Sequence, residues 1–235
     1  MSEPTACTAA RPCPDPRYCD RCDLLVGLPG FHVLAVSEAV DGDRLRVVVE
    51  SPAQPVGCPA CGVLAVSHGR REVVLVDAPS FGRPVTLVWR KRTWRCLDPD
   101  CPARGFTEQH PGLAARRALL TVRACWWAVG QLRREHASVA GLARTLGTTW
   151  RTVWRSIRPL LAGMAADESR FDGVTSLGVD EHVWHHVSTK SVEDGGRGPK
   201  ELTGMVDLTR DQHGWVRARL LDLVPGRRAR PRPTG

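Results

Sequence analysis

The sequence predicts an α+β chain in three successive parts: a β-rich N-terminal part, a helical middle and a second set of strands. Three observations lead there. Short β-type runs recur from Phe31 to about Arg95, separated by turn signals, the pattern of successive strands. The spacing becomes helical after Thr107, and strand character returns at Thr175.

The chain has 235 residues, long enough for one large domain or two to three small ones. Residues 1–27 are rich in Pro, Cys and Asp, lack periodicity and read as a disordered arm. Phe31 to Ser37 and Leu45 to Ser51 are β-type runs around the turn signal Asp41-Gly42-Asp43, which predicts a hairpin. Glu72 to Asp77 and Pro84 to Arg95 form a second pair of runs. Leu113 to Arg134 reads as one long helix. Val139 to Leu146 reads as a short amphipathic helix stopped by Gly147, and Thr148 or Thr149 caps a further helix to about Leu161. Strands are expected at Thr175 to Trp184, Glu201 to Leu208 and Trp215 to Val224, before a basic, Pro-rich disordered tail at 227–235.

No apolar run reaches the ~18 residues of a membrane span. The N-terminus lacks the apolar stretch of a secretory signal, so the expected location is cytoplasmic. There, nine cysteines point to metal or free thiols rather than disulfides. The net charge is +8, and the excess is local: residues 58–171 hold 18 basic and 8 acidic side chains. Of the 33 basic residues only Lys91, Lys190 and Lys200 are lysines. A GC-rich genome also favours Arg, but it does not explain the clustering. A clustered basic excess is the footprint of a polyanion-binding module.

Cys58-Pro-Ala-Cys61 and Cys96-Leu-Asp-Pro-Asp-Cys101 are the strongest chemical signal. A tetrahedral zinc takes four soft ligands from two tight turns, and β-type segments between the pairs make a zinc ribbon. Pro-rich polar turns are poor sites for buried free thiols. A complete shell of four thiolates leaves no open position, so the zinc is structural. Cys7, Cys13, Cys19 and Cys22 are spaced irregularly; they read as free thiols on the arm, with a second metal site as the alternative. Cys125 reads as a packed helical thiol.

Ser138 to Ile157 has a helix-turn-helix layout. Val139, Leu142, Leu146, Val153 and Ile157 would form its core, Ala143 its close approach and Gly147 its left-handed turn. Thr149, Trp150, Arg151, Thr152 and Arg155 then face outward at the start of the second helix, the positions that enter a major groove of double-stranded DNA. An ordinary helical hairpin with a solvated basic face is the alternative. In Ser176-Leu-Gly-Val-Asp180-Glu-His-Val-Trp184, Asp180 is a carboxylate within an apolar strand. His182, His185 and His186 fall on both strand faces and read as surface or packed histidines.

The order of these features resembles the ISL-three family of bacterial insertion-sequence transposases, from about Leu28 to Gly226. Its most specific stretches are CPAC, RCLDPDCPARGFTE and SLGVDEH. The resemblance implies a zinc-binding domain over 28–107, a helix-turn-helix region over 108–170 and the first strands of an incomplete RNase H-like (DDE) domain over 171–226. It implies binding of transposon ends, DNA transposition and recombination, a nucleoid-associated location and, by allowance, a homo-oligomer. Asp180 matches the family's first catalytic aspartate. The later acids lie beyond this chain, so the expectation is a truncated, inactive copy, with magnesium held only by a complete catalytic domain. A stand-alone zinc-containing regulator occupying transposon ends is the alternative, and a zinc-dependent protein-interaction module is a weaker one.

Overall fold

The structure is a computed structural model that describes residues 18–39, 42–185, 190, 193–194 and 200–225. The chain divides into two compact units, Met1–Leu161 and Ala162–Gly235. Most of the expected arm (residues 1–17, with Cys7 and Cys13), His186 and the tail at 227–235 lie outside the described residues.

The first unit is built on one sheet. Strands β1 (His32–Glu38), β2 (Leu45–Glu50), β3 (Val66–Ser80) and β4 (Arg83–Arg95) lie in the order β1-β2-β4-β3, and β5 (Gly105–Thr107) pairs with β4. The β1–β2 pair is antiparallel, β2 runs parallel to β4, and β3–β4 is a long antiparallel hairpin. Phe81 and Gly82, at φ 52° and 73°, close that hairpin. Two successive positive φ values match the right-handed strand twist. β3 begins well before the apolar run that marks it. Its residues 66–72 are exposed and polar for the most part, so they carry no alternation to read.

One sheet face buries Val33, Val47, Val49, Leu75, Val85, Leu87 and Trp89 together with Phe31, Leu113 and Ala114. The opposite face buries Val48 and Val88. Helix α2 (Val122–Arg134) contacts β3, and α3 (Val139–Leu146) contacts β3 and β4. α4 spans Trp150–Ala165.

Two expectations are corrected here. Residues 18–27, read as part of a disordered arm, include a short helix, α1 (Asp20–Val26). Cys19 caps it through Sγ, and Gly27 ends it at φ 61°. Asp23 reaches out of α1 to accept the Val33 N–H at 2.6 Å and to meet His32 Nδ1 at 2.8 Å, so the start of β1 holds the helix in place. The long helix over 113–134 begins only at Val122. The Val76 N–H donates to Leu119 O and the Thr121 N–H to Val76 O, which turns 119–121 into an added edge of the sheet. An open strand edge thus takes backbone that the local period would make helical. Thr121 then caps α2 through its hydroxyl.

Asp77 ties these parts together. Its buried carboxylate accepts from the Thr121 hydroxyl at 2.6 Å, the Arg123 Nε at 2.8 Å and the Ala78 N–H at 2.9 Å. Arg123 also donates through Nη2 to Asp77 and through Nη1 to the Val26 carbonyl. One carboxylate–guanidinium pair therefore joins the β3 edge, the N-terminus of α2 and the C-terminus of α1.

The second unit contains a short 3-10 turn (Glu168–Phe171) and the antiparallel meander β6 (Leu177–His185), β7 (Lys200–Asp207), β8 (Arg219–Pro225). β8 starts later than its apolar pattern, because Asp211 accepts the His213 and Trp215 N–H groups and folds 211–215 into a turn. Leu177, Val179 and Val183 share one face of β6 and are exposed.

Candidate functional site

The open end of the β3–β4 hairpin carries the four cysteines. Cys58 and Cys61 lie just before β3, and Cys96 and Cys101 just after β4. Each pair sits in a knuckle. In the first, Gly62 takes φ 77° and donates to the Cys58 carbonyl, while the Cys58 N–H donates to Val63 O, both at 2.8 Å. In the second, the Cys96 N–H donates to Arg104 O, and Asp98 accepts the Asp100 N–H through its side chain. The hairpin register then brings the knuckles together.

The four sulfurs all lie within 4.8 Å of one another. Cys58 to Cys101 is 3.7 Å and Cys61 to Cys96 is 3.5 Å. These are too long for disulfides. They match the edge of a tetrahedron, since Zn–S bonds of ~2.3 Å place sulfurs ~3.8 Å apart. Cys58, Cys96 and Cys101 are buried and Cys61 is exposed. The N–H groups of Ala60 and Cys61 hold the Cys58 thiol down at about 7. The Val63 N–H favours the Cys61 thiolate, but desolvation and the neighbouring thiols push that group up to about 12. Burial raises Cys101 as well. Such thiols oppose one another's ionisation, and a divalent ion between them removes the conflict. The donor set fits a structural zinc held by Cys58, Cys61, Cys96 and Cys101.

The helical residues are arranged as follows. Ser138 caps α3 by accepting the Gly141 N–H at 3.0 Å. Gly147 ends α3 at φ 62°, and its carbonyl accepts from Arg44 Nη2 at 2.6 Å. That tie from the start of β2 had no sequence signal. Thr149 accepts the Thr152 N–H at 3.1 Å and so starts α4. Leu142, Ala143, Leu146, Val153 and Ile157 are each buried, while Val139 is only partly buried. Thr149, Trp150, Arg151 and Arg155 are exposed and Thr152 is half-buried. Trp150 stacks on Trp154 at 6.0 Å between ring centroids. Cys125 is half-buried, and burial raises its thiol.

In the second unit, Asp180 is exposed on β6 opposite Gly204, and His182 is exposed beside it. The side chain of His185 lies outside the described residues. Among the described residues, the four cysteines are the cluster whose donors converge, and Asp180 is not gathered with other metal-binding groups. Among those residues, too, no helix is long and apolar enough to cross a membrane.

Comparison with known proteins places one relationship on this geometry. Residues 54–101 match the family model for the zinc-finger of transposase IS204/IS1001/IS1096/IS1165. No curated protein and no solved structure matches the chain. The matched segment spans both knuckles and the β3–β4 hairpin and contains all four clustered cysteines, Cys58, Cys61, Cys96 and Cys101, so this region is similar to that zinc finger.

Proposed function

We propose that this chain is a DNA-binding part of an insertion-sequence transposase, with α3, its tight turn and α4 acting as a helix-turn-helix. In this reading α4 lies in the major groove of transposon-end DNA. Arg151 and Arg155 read guanine edges, and Thr149, Trp150 and Thr152 meet the neighbouring bases or backbone. The zinc ribbon stiffens the sheet on which the helices rest.

The observation that carries the reading is the start of α4 itself. It presents Arg151 and Arg155 to solvent without an ion-pair partner among the described residues, in a chain whose residues 54–101 match a transposase zinc finger. The antiparallel meander with Asp180 on its first strand supports reading the second unit as the opening of an RNase H-like sheet. Asp180 is then its candidate first metal-holding acid, for magnesium.

Binding of the zinc-loaded chain to duplexes from the ends of the parent element, against random duplexes, tests this. Affinity should fall steeply with salt. Arg151→Ala or Arg155→Ala should lose ~1–3 kcal/mol of discrimination between the two duplexes. Salt-independent binding, or no preference for element ends in the unaltered chain, would refute the reading.

A further inference from the structure

The segment from Ala115 to Ala118 forms a wall shared by two cavities of the first unit. One, of about 410 Å³, opens beside Arg71, Trp89 and Lys91 of the zinc-ribbon hairpin. The other, of about 690 Å³, opens beside Trp126, Arg151 and Arg155 of the helices. Arg116 and Arg117 line both. Neither lining contains a carboxylate. The Ala118 N–H donates to Ala115 O to close this turn, and Arg117 takes φ 63°. A left-handed non-glycine residue costs of order 1 kcal/mol and recurs where function requires the geometry.

The hairpin register makes the first cavity unusual. It sets Arg71 directly opposite Lys91, and Arg70 directly opposite Arg92. Like charges facing each other across strands are unfavourable. The two pairs are on opposite faces and are treated differently. Glu50 neutralises the Arg70/Arg92 pair, at 3.3 Å from Arg70 and 3.6 Å from Arg92. The Arg71/Lys91 pair has no such acid in the cavity. Lys91 is only 9% exposed; it lies 4.1 Å from the Trp89 ring centroid and donates to Gln109 at 3.4 Å. Burial holds the Lys91 ammonium below the usual lysine range, against the opposing pull of Glu108, whose carboxylate accepts the Arg92 N–H at 2.9 Å and is not part of the lining. Arg71, Arg116 and Arg117 are exposed and make no ion pair among the described residues. By contrast, Arg46, Arg83 and Arg123 of the same unit pair with Glu72, Glu38 and Asp77. The fold therefore brings cations from β3, β4 and the 115–118 turn to one cavity whose lining holds no carboxylate, and Arg71, Arg116 and Arg117 make no ion pair among the described residues.

We propose that the cavity bounded by Arg71, Lys91, Arg116 and Arg117 is a phosphate-binding site for the backbone of duplex DNA, continuous with the α4 surface through the 115–118 turn. It rests on the DNA-binding reading above and adds a second contact region to it. Arginine forks and a lysine suit phosphodiester oxygens. They carry no base readout there, so the site anchors and orients the duplex while α4 reads it.

The test uses the full zinc-loaded chain and its Arg71→Gln, Arg116→Gln and doubly substituted variants. Binding is measured against salt on element-end and on random duplexes. Each neutralised arginine should reduce the slope of log affinity against log salt by ~0.9. The loss should be equal on both duplexes, and Arg71→Lys should restore the slope. Phosphate-ethylation interference on the unaltered complex should mark phosphates beyond those expected for α4, and this arm does not depend on how any variant folds. An unchanged slope in a double variant of normal zinc content, or no such additional phosphates, overturns the proposal. If either result accompanies a loss of discrimination in Arg151→Ala, the α4 reading stands and only this site falls. Failure of the unaltered chain to bind duplex DNA overturns both.

Discussion

Asp77→Asn tests the joint between the hairpin and the helices. The carboxylate is fully buried, and its partner Arg123 has a side chain 34% exposed. One Asp77 oxygen accepts from Thr121, Ala78 and Arg123 Nε, and the other accepts from Arg123 Nη2. Asn keeps the first acceptor and turns the second into a donor facing a donor. Breaking a buried pair from one side costs about 3–5 kcal/mol when the remaining charge is sealed from water. Arg123 reaches solvent in part, so the cost falls to about 2–4 kcal/mol, still more than a neutral hydrogen bond. With urea slopes of a few kcal/mol/M, the unfolding midpoint should drop by about 1–2 M. Urea unfolding of the zinc-loaded chain, followed by Trp fluorescence, reads this shift. A cycle with Arg123→Gln should couple by about 1–3 kcal/mol, because the two residues serve one joint. A midpoint shift below about 0.3 M, or strictly additive losses, would refute the view that this pair holds α2 on β3.

Two further outcomes are expected. Metal analysis should find one zinc per chain, lost in the Cys58→Ser, Cys96→Ser double variant. Chelation should unfold both knuckles, because metal-binding energy of ~10 kcal/mol or more is folding energy; zinc retained unchanged by the double variant would contradict the site. In the second unit, the Thr209 hydroxyl and N–H, together with Arg219, hold Asp207 below the usual carboxylate range. A depressed folded-state pKa stabilises above the unfolded value of ~3.9 and is lost as pH falls through the folded one. Acid titration of β7–β8 amide exchange should therefore show protection falling below about pH 4, and Asp207→Asn should flatten that fall; an unaltered profile would argue against the linkage.

The zinc ribbon was legible because its chemistry is local. Two short cysteine pairs bracket β-type runs, and the structure brings all four sulfurs together. α3 was legible too, with Ser138 capping it and Gly147 ending it. The burial of Leu142, Leu146, Val153 and Ile157 follows from their helical spacing. Residues 113–121 misled for a definable reason. Their apolar spacing suits a helix, yet Leu113 and Ala114 pack on the sheet and 119–121 bond to the β3 edge. α1 had no periodic signal; its placement depends on Asp23 reaching β1, a contact between separate elements.

By itself, the sequence determined where the four thiols and the clustered basic residues of the middle segment lie, and it singled out Arg151 and Arg155 for the proposed DNA contact. Each rests on residue type and on spacing within a turn or two. Tertiary structure alone decided how charges face one another. Arg71 meets Lys91 only through the β3–β4 register, and Glu50 reaches Arg70 and Arg92 only through the β2–β4 pairing. Arg44 meets the Gly147 carbonyl across 103 residues. Such pairings depend on strand register and on packing between distant segments. A strand slipped by one residue would present the opposite set of side chains to the cavity, and no local pattern in the sequence records that choice.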